Sequence, residues 1–115
     1  MPLHSQEPLT ITESQGPQPD QQILTLSGPV VLSTIFPFQN AVRAQQGRML
    51  VIDFTKVPYM DSAGVGALVG AHVNRNKDGR GLVLVGVSRR VRDLLHVTHV
   101  EDLFRFAATV DEALG

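Results

Sequence analysis

The densest run of chemically useful side chains is Tyr59-Met60-Asp61-Ser62-Ala63-Gly64-Val65-Gly66. Ser62 opens a stretch with helical spacing, and its hydroxyl can cap the first turn by accepting from a backbone N–H. The same position suits a phosphate. A phosphate there would add about −1.5 to −2 charges at the positive end of a helix dipole, where unpaired N–H groups can solvate it. Asp53 and Asp61 invite a paired-carboxylate reading, but nothing in their spacing brings them together, so no general acid and base are assigned. His96 and His99 stand three apart and could share a helical face. With no third ligand nearby they are read as surface or capping residues, and no metal site is assigned. His72, on an apolar face, is read as a packing residue. The glycines run Gly64-x-Gly66-x-x-x-Gly70, which departs from the dinucleotide fingerprint, and no Lys-Ser or Lys-Thr follows to complete a phosphate loop. The expectation is a protein that is not an enzyme, with no catalytic residue and no cofactor.

Composition narrows the classes further. A chain of 115 residues suffices for one domain that buries about 65% of the surface its unfolded form exposes, with little material left for a deep cleft. It is 43% hydrophobic and 18% charged, as ordinary globular domains are. Five Phe, one Tyr and no Trp offer no stacking platform for single-stranded nucleic acid, and a net charge of −1 does not suit broad phosphate-backbone binding. Nucleic acid is therefore not an expected partner. The absence of Cys removes disulfides, thiol catalysis and cysteine metal sites, and fits a reducing compartment. No apolar run approaches the roughly 20 residues of a membrane span, so no membrane association is expected. Met1 to Glu7 lacks the basic and apolar regions of a secretory signal, and the expected location is cytoplasmic. Charge is uneven along the chain: −3 over residues 1–42, +1 over 43–62, +5 over 63–92 and −4 over 93–115. Arg75, Lys77, Arg80, Arg89, Arg90 and Arg92 supply the basic excess, read as a solvated face or a patch that steers a partner.

These residues need elements to hold them. Residues 1–8 are mostly polar with two Pro, and read as a flexible lead before a domain at 9–115. Leu9 and Ile11 alternate with Thr10 and Thr12 as in a strand that fades at Glu13 and Ser14. Gly16 to Asp20 supplies a turn, and Ile23, Leu24 and Leu26 form a second strand ending at Gly28-Pro29. Residues 33–46 read as a helix with Ser33 or Thr34 as cap and Gly47 as stop. Met49 to Phe54 and Leu82 to Val87 are apolar runs expected of strands covered on both faces. Between them lies a helix from Ser62 to about Asn76, carrying Val65, Leu68, Val69, His72 and Val73 at helical spacing. Strand, helix and strand in this order form a crossover between parallel strands. The small residues of that helix predict close packing, on the sheet before a partner, since each interior Gly costs about 1 kcal/mol against Ala. A short helix (89–96), an extended piece (103–106) and a terminal helix (110–114) complete the chain.

Leu50-Val51-Ile52-Asp53-Phe54 followed by Val57-Pro58-Tyr59-Met60-Asp61-Ser62-Ala63-Gly64 resembles the STAS domain family, named for sulphate transporters and anti-sigma factor antagonists. The likeness extends from about Leu9 to Leu114, and includes the Leu82 to Val87 strand and the ending from Leu103-Phe104 to Ala113-Leu114. It implies an α/β fold: a STAS-like mixed β-sheet flanked by about four α-helices in a single compact domain. In the antagonist branch, the Ser after the Asp is the phosphoacceptor of a serine kinase that is also the anti-sigma factor. Ser62 matches that position, and Met60, Asp61, Ala63 and Gly64 beside it fall in the partner surface. The resemblance implies a protein that binds the kinase when unphosphorylated, lets go when phosphorylated, and is restored by a phosphatase. Antagonists commonly carry an acidic residue just after the Gly that ends the second strand. Here Gly28 is followed by Pro29-Val30-Val31-Leu32, which leaves a second reading: a STAS scaffold subunit, not phosphorylated, of a larger signalling assembly.

Overall fold

Five strands form one sheet in the order β1 (Thr10–Gln15), β2 (Gln21–Ser27), β3 (Met49–Lys56), β4 (Gly81–Val85) and β5 (Arg105–Ala107) in the computed structural model, which describes residues 7–115. The first six residues of the expected lead lie outside the described ones. β1 runs antiparallel to β2 and every other pair is parallel. The two unbroken apolar runs occupy the centre, where both faces must be dry. Leu50, Val51, Ile52 and Phe54 of β3 and Leu82 to Val85 of β4 are buried accordingly.

The helices divide unequally between the faces. α1 (Ile35–Ala44), α2 (Ser62–Lys77) and α3 (Arg89–Val97) bring Phe38, Val42, Val65, Leu68, Val91 and Leu95 onto the face that carries Leu24, Leu26, Leu50, Ile52 and Leu84. α4 (Val110–Leu114) covers the opposite face, where Val110, Ala113 and Leu114 meet Val51, Val83 and Val85. This is the mixed sheet with four flanking helices that the resemblance implies.

Element ends differ from expectation for local reasons. β1 continues to Gln15 because its backbone pairs with β2 through Gln15 and Gln22, although its outer side chains no longer alternate. α1 starts at Ile35, after Thr34, and neither Ser33 nor Thr34 caps it by side chain. The Thr34 hydroxyl accepts from the Val31 N–H (3.0 Å) and donates to the Pro29 carbonyl (2.9 Å), so it orders the preceding loop. β4 ends at Val85, since Gly86 takes a φ of 65° and a Cβ there would strike the Thr55 hydroxyl. Leu103 falls in a 3-10 turn at Glu101–Leu103, and the extended piece is β5.

The largest departure concerns Arg75, which was expected on a solvated face and is only 2% exposed. Its Nε donates to the Gly81 carbonyl (3.1 Å), and its two terminal nitrogens donate to those of Gln45 (2.9 Å) and Gly47 (2.7 Å). Burial, then the nearby Arg80 charge, lowers its pKa to about 10. This single side chain ties the end of α2 to the chain entering β3 and to the start of β4. Arg80 reinforces it by donating to the Gln45 carbonyl (3.0 Å) and pairing with Asp78 (2.9 Å).

Candidate functional site

Ser62 stands at the rim of the sheet where the parallel strands end, the place where open α/β sheets present their binding residues. Two loops meet there. The segment after β2 runs beside the segment after β3: the Gly28 N–H donates to the Lys56 carbonyl (3.0 Å), the Val30 N–H donates to the Tyr59 carbonyl (3.3 Å), and Val30 pairs with Met60 as an isolated parallel bridge.

Asp61 closes this junction. One of its carboxylate oxygens accepts from the Gly64 N–H (3.0 Å), capping α2, and the other accepts from the Leu32 N–H (3.1 Å) in the first loop. The cap is therefore Asp61, and Ser62, expected as cap, is the first residue inside the helix. The physical reason is registry: the first α-helical bond runs from the Val65 N–H to the Asp61 carbonyl (3.0 Å), which makes Asp61 the half-in residue whose side chain reaches the third N–H. The N–H groups of Ser62 and Ala63 have no acceptor within the helix, as in every first turn. Ser62 itself is exposed.

Around it, Asp61 and Ala63 are partly exposed, whereas Met60 and Gly64 are buried. Met60 lies beneath the junction, and a Cβ on Gly64 would drive into the Val30 carbonyl oxygen. Gly64 is thus the glycine of α2 that a close approach demands, and what it approaches is the loop before α1. The expectation that this helix's glycines pack on the sheet is not met: Gly64 meets that loop, and a Cβ on Gly66 or Gly70 would meet nothing within 4 Å. They border a trough of about 460 Å³ between α1 and α2, with Phe38, Val42, Arg43 and Asn74 along its walls.

The remaining candidates separate. Asp53 accepts from the N–H (2.9 Å) and hydroxyl (2.5 Å) of Thr55, while Asp61 serves Leu32 and Gly64, so each carboxylate has its own partners. His96 Nδ1 lies 3.0 Å from Glu101, whose carboxyl is held below the usual range by hydrogen bonds from Arg92 and then His96. His99 takes a left-handed φ of 62° just past the end of α3, a capping position. The His72 ring packs edge-on to Phe104 with centroids 5.5 Å apart, as a packing residue does. Val73, expected on the same apolar face, is exposed.

Sequence reasoning missed two exposed apolar residues in the segment that leads from β2 into α1. Leu32 and Phe36 are 68% and 70% exposed, and Leu32 is held directly on Asp61. Two residues apart on α1, Phe36 and Phe38 point to nearly opposite faces, and Phe38 is the one that is buried.

The STAS domain family model matches residues 12–113, and the chain belongs to the STAS domain family, in its anti-sigma factor antagonist branch. An anti-sigma-B factor antagonist of Bacillus subtilis is 33% identical over 87 residues, 76% of this chain and 75% of that protein. One of Listeria monocytogenes is 36% identical over 73 residues; that alignment spans 64% of this chain and 64% of that protein, just under two thirds of its length. Among solved structures, an anti-sigma factor antagonist from Mycobacterium paratuberculosis shares the fold, with a TM-score of 0.80 over 92% of this chain and 91% of that one at 23% identity. Among the described residues, no helix is long and apolar enough to cross a membrane.

Proposed function

We propose that this protein is a switchable anti-sigma factor antagonist: unphosphorylated, it binds an anti-sigma factor that is also a serine kinase, and phosphorylation at Ser62 releases it. The observation that carries the reading is an exposed serine at the first position of α2, directly after an aspartate that caps the helix. The kinase transfers the terminal phosphoryl group of its ATP to the Ser62 oxygen, with ADP leaving and the hydroxyl proton passing to the kinase. A phosphatase reverses the change.

The physics of the switch is local. A phosphate with about −1.5 to −2 charges is favoured where the N–H groups of Ser62 and Ala63 point out of the helix, so the domain stays folded. The same charge on an otherwise dry contact costs desolvation and repels acidic neighbours, so the partner leaves. Ser62, Asp61 and Ala63 form the contact in this reading, and Met60 and Gly64 hold them from beneath. The protein acts in the cytoplasm, where such a kinase and its ATP are found.

The second reading is a scaffold subunit that is never phosphorylated, favoured by the apolar Pro29-Val30-Val31-Leu32 where antagonists commonly carry an acid. Ser62→Ala as bait in the native cell, with phosphosite mapping of the wild type, decides between them. The switch predicts capture of an ATP-binding kinase, phosphate on Ser62 and loss of capture by Ser62→Asp. An unmodified Ser62 with no such kinase recovered sinks it.

A further inference from the structure

Two features at the rim break local rules without a return inside the domain. Leu32 and Phe36, four residues apart across the turn into α1, leave large apolar side chains mostly in water. Arg89 and Arg90 occupy the first turn of α3, which contains no acidic residue. Two cations there face the positive end of the helix dipole, an arrangement that opposes stability. Both are exposed, and neither belongs to the ion pairs formed among the described residues, which join Arg80 to Asp78 and Arg92 and His96 to Glu101. Departures of this kind are expected at functional surfaces.

Contacts and strand order place Leu32 and Arg90 on either side of the segment that leads into Ser62. Leu32 is bonded to Asp61, and on the other side the Arg90 guanidinium lies over the Tyr59 ring, 5.1 Å from its centroid, two residues before Asp61. Across the rim Leu32 therefore meets Asp61 from the β2 side and Arg90 meets Tyr59 from the β4 side; Phe36 and Arg89 are their neighbours along the chain. Two carboxylates adjoin that row: Asp61 already has both oxygens engaged, and Glu7 accepts from the Tyr59 hydroxyl (3.3 Å).

Resting on the reading of Ser62 as the switch, we infer that the kinase partner docks through an apolar recess that receives Leu32 and Phe36, bordered by carboxylates that meet Arg89 and Arg90. Apolar anchors supply the affinity and the arginines supply steering and register. This partner chemistry explains how an apolar loop can stand where an acid is common: recognition on that side is by burial and the charge of recognition is positive, on α3. It also explains the release. A phosphate on Ser62 stands between anchor and arginines and faces the partner's carboxylates with like charge.

The test uses the purified ATP-binding kinase recovered with the Ser62→Ala bait, and calorimetric titration at about 0.05 M and about 0.5 M salt, where screening differs strongly. Leu32→Ser/Phe36→Ser is expected to weaken binding by about tenfold or more at both salts. Arg89→Glu/Arg90→Glu is expected to weaken it about tenfold at low salt and to flatten the salt dependence. Val97→Ser, exposed on the far end of α3, should bind as wild type, and thermal melts should show all variants folded. Wild-type affinity in either double variant, while Ser62→Asp still abolishes binding, overturns this inference and leaves the switch standing. Loss in both double variants with Ser62→Asp unaffected keeps the surface and overturns the switch. Failure to recover any ATP-binding kinase overturns both. Retention of wild type, but not of the two double variants, on vesicles of phosphatidylserine and phosphatidylcholine overturns a protein partner in favour of a lipid surface.

Discussion

At its C-terminal end α2 is held by Arg75, a buried cation that spends its guanidinium on three carbonyls from two neighbouring segments. At its N-terminal end it is held by Asp61, a partly exposed anion that takes two N–H groups and leaves the next residue in water. Both ends satisfy the orphan groups of surrounding backbone, yet one is sealed and the other open. The difference teaches where change is tolerated. Three hydrogen bonds in a dry site make the Arg75 end intolerant of substitution, whereas a new charge at Ser62 meets solvent and the helix dipole and leaves the fold alone.

The strongest way to break this comparison is at the sealed end. Arg75→Met keeps much of the side-chain bulk but strips donors from the Gly47 and Gly81 carbonyls, and each buried acceptor left unmet costs about 1 to 3 kcal/mol. We expect a loss of about 3 kcal/mol, or about 12 °C in melting temperature for a domain of this size, read by circular dichroism. A shift below about 3 °C would mean the two ends do not differ in kind.

Next in size is Gly64→Ala. The added methyl meets the Val30 carbonyl, which belongs to backbone and cannot swing away, and forcing such a contact costs about 1 to 3 kcal/mol. Chemical denaturation should show this loss, and amide exchange should place the loosening in residues 28–34. Gly70→Ala tests the opposite sign on the same helix. Its Cβ enters open space, so removal of an interior helical glycine should stabilise the domain by about 0.5 to 1 kcal/mol. A destabilised Gly70→Ala would show that the trough closes in solution.

The smallest expected effect on stability falls at Ser62, where the largest effect on binding is expected. Ser62→Asp should move the unfolding free energy by no more than about 0.5 kcal/mol, in the stabilising direction, because the negative charge sits at the helix N-terminus. Equal melts alongside lost kinase binding would separate switching from folding. An unfolded Ser62→Asp would merge them.

How much of this was legible beforehand can be judged residue by residue. The central strands were readable because β3 and β4 are buried on both faces and must be apolar throughout. The helix between them was readable from its period. The Asp61-Ser62 pair was visible as a helix start, but which residue caps was not, since Ser and Asp both serve and one residue of registry decides. Arg75 was placed on the solvated face because its charge, read one residue at a time, outweighs a helical position that faces inward. Its burial depends on three carbonyls that lie 28 and 30 residues earlier and 6 residues later in the chain.

By itself the sequence determined the alternation of strands and helices, the parallel central pair and the serine at a helix start, all of which follow from side-chain patterns within a few turns of chain. Only the tertiary structure decided that Gly64 is required and Gly66 and Gly70 are not, that Arg75 is a clasp, and that Leu32 and Phe36 join Ser62 at one rim. Each of those depends on which distant backbone comes within hydrogen-bonding or van der Waals reach, and the approach of β2's loop to the first turn of α2 is a property of the packed sheet that no local pattern encodes.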